Sequence, residues 1–240
     1  TAANYVELMS AQRVGERWLA RLRDIDSGEE FTTSARAIVN AAGPFVDDLN
    51  TQWGMTTEHR IVYSKGIHLV VPRLTTTRHD RVLAFFDDTQ RLFYVIPMGR
   101  RSVIGTTDTR VDTPFTEVDQ DDREFLLSQI NARLDLLAPL TVNDVIAERS
   151  GVRPLVVKRG GGDHTTTDWT SLSRKHEIER DDERNVVTVF GGKLTDCLNV
   201  GEEVAHEIEQ LGIPLERDLH NWYGEPAKAT RTEFYRQAKL

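Results

Sequence analysis

The chain has 240 residues, of which 39% are hydrophobic and 28% charged, and its net charge is −8. That is enough chain to bury one large core or two modest ones, and too acidic to grip nucleic acid except through a local cluster of Arg and Lys. One cysteine, Cys197, excludes an internal disulfide and a cysteine zinc cluster, and no run of about 18 apolar residues offers a membrane span, so the composition points to a reducing, cytosolic setting.

In chain order, the opening TAANYVELMSA shows no signal peptide and resembles the middle of a fold. Asn4–Leu8 and Gly15–Ile25 are expected as strands, with Asp26-Ser27-Gly28 as a turn. Ser34–Ala41 is expected as one buried strand ending in Ala42-Gly43-Pro44, and Phe45–Trp53 as a helix, which gives this part α/β character. From Arg60 the pattern changes to strands joined by short polar loops: Ile67–Pro72, Val82–Phe86, Leu92–Met98 and Ser102–Thr107. Asp87–Arg91 and Gly99–Arg101 are hairpin-sized, so an antiparallel sheet is expected. Asp119–Asp122 cap a helix whose apolar stripe is Leu126, Leu127, Ile130, Leu134 and Leu137, ended by Ala138-Pro139. Val145–Val156 returns to the sheet with a break at Gly151, and Arg159–Asp168 is a glycine-rich insertion. Leu172–Arg180 and Val186–Phe190 form a hairpin around Asp181–Arg184.

After Phe190 the sequence gives Gly191-Gly192 and then a helical run, with Leu194, Cys197, Leu198, Gly201, Val204, Ala205, Ile208 and Leu211 at three- and four-residue steps. A strand, a glycine turn and a helix without a gap aim free N–H groups and a positive dipole end at whatever sits above the turn, and Lys193 adds a full charge there. An ordinary βα connection has the same signature. The run stops at Gly212 and Pro214, and Ala227–Leu240 begins a further helix.

Several residues carry chemistry. Pro154 forces Arg153, in SGVRP, out of the helical region, and Arg174 opens SRKHEI. On neighbouring strands the two would clamp a phosphate or carboxylate, whereas a single arginine is as well explained by surface ion pairing. His68 alternates with Ile67 and Leu69, so it faces away from both, as a general base or as a satisfied structural histidine. Thr106-Thr107-Asp108 follow a glycine at a strand end, as a ligand loop or an Asx turn. Asp163, His164 and Asp168 sit in too loose a setting to be metal ligands, and Cys197 is expected as helix packing.

Together and in order, NAAGPFVDDL, SKGIHLVVP, FYVIPM, IGTTDT, ERSGVRPL, SRKHEI and VFGGKLT resemble the FAD-dependent glycerol-3-phosphate dehydrogenases, members of the wider amino-acid-oxidase-like flavoprotein group, over Asn4 to about Leu211. The resemblance implies an α/β and α+β architecture. Residues 1–59 and 186–214 would belong to an FAD-binding α/β domain, 60–185 to an antiparallel substrate domain, and 215–240 to the start of a helical region. It implies oxidation of sn-glycerol 3-phosphate to dihydroxyacetone phosphate with electrons passed to quinone. It also implies a cytoplasmic enzyme peripherally bound at the inner face of the membrane. A sheet cut short would leave a raw edge and an uncovered apolar face, which favours a homodimer. By the same resemblance His68 and Arg153 are catalytic, and Arg153, Arg174 and Lys65, which opens KGIH, bind substrate. Ala42, Gly43, Gly192, Lys193, Leu194 and Thr195 contact the flavin.

The departures are specific. No Gly-x-Gly-x-x-Gly unit is present, so the sequence is taken as a fragment, inactive and unable to hold FAD by itself. Leu198 stands where many members carry arginine, and Phe45 where tryptophan is usual. Two other assignments stay open on the residues: an oxidase acting on glycine or sarcosine, since arginines serve a carboxylate equally, and a non-catalytic binding or assembly module.

Overall fold

A computed structural model describes residues 2–74, 81–86, 92–160, 175–216 and 227–238. Strands β1 (Val6–Val14), β2 (Arg17–Asp24) and β3 (Glu30–Ala35) form an antiparallel meander, with Gly15 at φ 62 in the turn that separates β1 from β2. Trp18 ties the meander down. Its buried indole donates to the Arg184 carbonyl at 2.7 Å and packs on Trp53.

The expected strand Ser34–Ala41 is divided between two sheets. β3 follows β2 only as far as Ala35, and after a break β4 (Ile38–Asn40) pairs in parallel with β12 (Val186–Phe190). The cause is local. Asn185 donates from its side-chain amide to the Arg36 carbonyl, and its own carbonyl accepts from the Ile38 amide, which pulls the chain onto the next sheet. The first part is therefore an antiparallel meander with a single parallel strand after it. α1 (Val46–Gln52) follows, entered through a 3-10 turn at Gly43–Phe45.

The central sheet has six strands. β10 (Ala147–Lys158) runs its whole length against β5 (His59–Pro72), from His59 to Val70. On its other edge β5 meets β8 (Arg101–Gly105) from His68 onward and β9 (Thr109–Val111) at Tyr63–Lys65. β7 (Leu92–Met98) and β6 (Leu83–Phe86) extend the sheet, and every pairing is antiparallel. The expected break at Gly151 does not occur: Gly151 pairs with Gly66 inside an unbroken ladder, because β5 offers a partner at every position. The 87–91 loop, most of the 159–168 insertion including Asp163, His164 and Asp168, and residues 172–174 with Arg174 lie outside the described residues.

Helix α2 (Gln120–Arg133) covers one face of this sheet. Asp119 and Asp122 form a reciprocal capping box at its start. Leu126, Leu127 and Ile130 bury against Ile67, Leu69, Val71, Phe93, Val95 and Ile104. The helix ends before the predicted stripe does. Leu134 turns extended, and the Asn131 amide makes two bonds with the Leu140 backbone that fold the chain back, leaving Leu137 fully exposed and Ala138-Pro139 in the return loop.

The third sheet has the order β11-β12-β4, with β11 being Glu177–Asp181 and all five β12 residues buried. α3 (Cys197–Gln210) lies along β11 and β12, held by an Arg180–Glu207 ion pair and by His176 against Glu203. Only its far end is well covered: Ile208 is buried, while Cys197 and Leu198 are exposed, so Cys197 is not the packing residue expected. A last helix, α4, spans Lys228–Ala238. Among the described residues no helix is long and apolar enough to cross a membrane.

Candidate active site

The site begins with the alternation of β5. Lys65, Ile67, Leu69 and Val71 point one way, Gly66 and His68 the other. The first set meets α2. The second, with the matching residues of β10, lines a cavity of about 290 Å³ formed by Gly66, His68, Arg149, Ser150, Gly151, Val152 and Arg153. His68 and Arg153, singled out separately from sequence, therefore share one small cavity.

Glycines make their placement possible. A Cβ on Gly66 would overlap the Arg153 guanidinium, which lies across that position. A Cβ on Gly105, the residue paired with His68 on β8, would come within 2.5 Å of the imidazole Cδ2. Each polar side chain thus lies flat on the backbone of a neighbouring strand. Arg153 is fixed there by donating to the Thr106 hydroxyl (3.0 Å), the Thr107 carbonyl (3.3 Å) and the Ser64 hydroxyl (3.5 Å), with Asp108 at 3.7 Å. The Ser64 hydroxyl donates to Asp108. The 106–108 loop fills the gap that β8 and β9 leave along β5, and the Thr107 hydroxyl accepts from the Ile67 amide at 3.1 Å. Burial pulls the His68 pKa below the ordinary histidine value, and the charges of Arg153 and Arg149 add to it. The imidazole is thereby kept neutral near pH 7, with a lone pair able to take a proton.

Lys65 is not part of this cavity. It is 5% exposed on the α2 face, where its ammonium donates to Asp119 at 2.7 Å and Asp122 at 2.6 Å. Burial alone would lower its pKa, but the bonds and charges of the two aspartates outweigh that and hold it above the usual lysine range.

The second cluster forms at one end of the third sheet. Because β4 and β12 are parallel, Ala42-Gly43 and Gly191-Gly192 leave their strands at the same end. Gly43, Gly191 and Gly192 have φ of 56, 64 and 95, a region other residues rarely adopt. This end touches the cavity strands. A Cβ on Gly191 would lie 2.5 Å from Val156 Cγ2 and 3.4 Å from the Pro154 carbonyl, one residue beyond Arg153, and the Tyr63 hydroxyl donates to the Pro44 carbonyl at 3.0 Å. Around it stand Lys193, Leu194 and Thr195, all exposed, with Leu194 at 90%. The chain passes from Lys193 through a 3-10 turn, Leu194–Asp196, straight into α3. Open glycine backbone, an uncovered leucine and a cation suit the flat apolar face and electron-rich edge of a ring-bearing cofactor.

Sequence reading missed Gly66, Gly105, Ser64 and Arg149. A glycine in the middle of a strand already marks close backbone approach, and KGI, IGT and SGV each carry one. Arg149 and Arg153, four apart on a strand, share a face by parity alone.

Residues 3–206 match the FAD dependent oxidoreductase family. The chain is 30% identical over 209 residues to the mitochondrial glycerol-3-phosphate dehydrogenase of Bos taurus, covering 84% of this chain and 28% of that protein. It is 31% identical over 209 residues to the aerobic glycerol-3-phosphate dehydrogenase of Escherichia coli K12, covering 84% and 39%. It therefore spans well under half the length of these relatives. The crystal structure of a Bacillus halodurans glycerol-3-phosphate dehydrogenase complexed with FAD superposes with a TM-score of 0.70 at 25% identity, over 89% of this chain and 40% of that one. A glycine oxidase from Geobacillus kaustophilus shares the fold at 20% identity and a TM-score of 0.55.

Proposed function

The chain belongs to the FAD dependent oxidoreductase family, and from that premise we propose that it serves the oxidation of sn-glycerol 3-phosphate to dihydroxyacetone phosphate, with FAD as cofactor and quinone as the final acceptor at a membrane surface. The observation that carries this is the cavity itself: it has two arginines and a histidine in its walls and, among the described residues, no carboxylate lining it. It suits a small phosphorylated alcohol, being at the lower end of ligand-pocket sizes.

Ala42, Gly43 and Gly192 to Thr195 are the residues we assign to the flavin ring, on the fit described above. FAD, when bound, supplies the acceptor for the hydride that leaves C2 of the substrate. This chain's residues do the rest. Arg153, locked by Ser64, Thr106 and Thr107, holds the phosphate and so fixes where C2 lies. It cannot act as a base at neutral pH, since its guanidinium stays protonated. His68 takes the hydroxyl proton on its free ring nitrogen as the hydride departs. Lys193 places positive charge beside the ring seat. In domain terms, residues 1–59 and 186–214 go with the cofactor and 60–185, apart from β11, with the substrate. We place β11 on the cofactor side, because its ladder is with β12. Residues 215–240 begin a helical region.

Arg153→Gln in the natural-length enzyme is expected to lower kcat/KM for glycerol 3-phosphate by about 1.5–3 kcal/mol of transition-state binding, roughly 10- to 150-fold. Stopped-flow flavin reduction with glycerol 3-phosphate, glycine and sarcosine as rival substrates tests the reading. Faster reduction by either amine would replace the phosphate ester with an amino acid. Arg174 is expected to act with Arg153 on the same phosphate.

The 240 residues by themselves are expected to bind FAD no better than in the roughly high-micromolar range. The Gly-x-Gly-x-x-Gly turn that grips a pyrophosphate is not among them, and ring contacts alone must meet the whole cost of association. Titration of the chain with FAD, followed by flavin fluorescence, checks this. Saturable quenching at low micromolar FAD would show that the ring seat suffices.

A further inference from the structure

We infer that Arg149 is a specificity-determining residue of this cavity, a second guanidinium that grips the substrate's anionic group from the His68 side and so selects a phosphomonoester dianion over a singly charged carboxylate. The inference rests on the proposed reading of the cavity as a substrate site and deepens it.

Arg149 is the direct cross-strand partner of His68, and Gly151 that of Gly66. Directly opposite residues in an antiparallel pair hold their Cβ atoms about 4.5–5.5 Å apart. Arg149 and His68 therefore stand side by side at the cavity wall. Arg149 and Arg153 stand four residues apart on one strand, roughly 13 Å between Cα atoms. Both line the cavity, and the floor between them is the Gly66–Gly151 pair, which has no side chain to separate them.

The two arginines differ in what they already hold. Arg153 is committed to Ser64, Thr106 and Thr107, with Asp108 beside it. Arg149 is exposed, and among the described residues no carboxylate lies within ion-pair distance of it. The neighbouring acid, Glu148, points to the other face and is taken by Arg123 at 2.5 Å. A guanidinium with its donors free is the group that can close on an arriving phosphate by two parallel N–H bonds. A dianion meets both arginines, whereas a carboxylate is satisfied by one.

The test compares wild type with Arg149→Gln and Arg149→Lys in the FAD-loaded enzyme of natural length. Calorimetric titration with inorganic phosphate is the direct arm. Arg149→Gln is expected to weaken phosphate at least tenfold, and Arg149→Lys to restore part of that loss by its charge. In turnover, the KM for glycerol 3-phosphate should rise by a similar factor while the constants for uncharged glycerol stay within twofold. Equal losses on glycerol and glycerol 3-phosphate, or unchanged phosphate affinity in Arg149→Gln, would overturn the inference. A wild type that binds phosphate through Arg149 yet does not oxidise glycerol 3-phosphate would leave the inference standing and remove the proposed substrate instead. A wild type that binds neither anion removes both.

Discussion

Lys65→Met is expected to destabilise the fold by about 3–5 kcal/mol, the usual result of removing one partner from a buried ion pair. Methionine fills the space of the lysine stem, so packing changes little. What changes is Asp122, 6% exposed and capping α2, which is left without its cation. Asp119 is more open to water and matters less. Replacing both members, Lys65→Met with Asp122→Asn, should recover a large part of the loss, because the uncompensated charge goes with the lysine. The pH dependence has a definite sign. The Lys65 hydrogen bond, with the Asp122 amide behind it, holds Asp119 below the ordinary aspartate range. That contribution is therefore present above the unfolded value near ~4 and lost as pH falls through the folded one. Lys65, held above its ordinary value, keeps its contribution until pH rises through that raised value, beyond the usual lysine range near ~10. Urea unfolding of the two proteins should then show the widest gap at neutral pH and a narrowing gap in acid. A variant as stable as wild type but with a raised KM for glycerol 3-phosphate would return Lys65 to the substrate, where its position in KGIH had suggested it belongs.

The case of Lys65 shows what the sequence could carry. Alternation on a strand says that Lys65 and His68 face opposite ways, and so forbids both from lining one cavity. It does not say which face α2 will cover. That depends on Leu126, Leu127 and Ile130 finding Ile67 and Leu69, a tertiary choice. The glycine turn after β12 was legible because strand, Gly-Gly and helix follow without a gap. Its closeness to Arg153 was not, since it arises from β10 passing under Gly191 at Val156. The division of residues 34–41 was likewise hidden: the run is uniformly strand-like, and only Asn185, about 150 positions away, decides where it changes sheet. The apolar period of α3 misled in a different way. Leu194, Cys197 and Leu198 keep the helical spacing of a buried stripe, yet in this structure that stripe is covered only near Ile208. Periodicity records the face a helix presents, and a partner must still be there to bury it.

Gly191→Val should cost about 2–6 kcal/mol, and the cost has two separable sources. The first is backbone: at φ 64 a β-branched residue is strained by about 1–3 kcal/mol. The second is space. The new Cβ would lie 2.5 Å from Val156 Cγ2, a side chain with no long arm to swing away, and 3.4 Å from the Pro154 carbonyl, so either β10 or the turn must move, at about 1–3 kcal/mol more. Gly43→Val isolates the first source. Gly43 has a similar φ of 56, but nothing lies within 4 Å of a Cβ there, so only the backbone strain remains. Urea midpoints of the two variants, at unchanged m, give the difference directly. The consequence reaches the site, because the strand that Gly191 would displace carries Arg153 one residue before Pro154. A natural-length Gly191→Val enzyme should lose affinity for FAD and for glycerol 3-phosphate together, while Gly43→Val should weaken FAD alone. If the two variants prove equally mild, Val156 yields without moving its strand, and the proposed cofactor seat and the proposed substrate cavity are not mechanically joined at this residue.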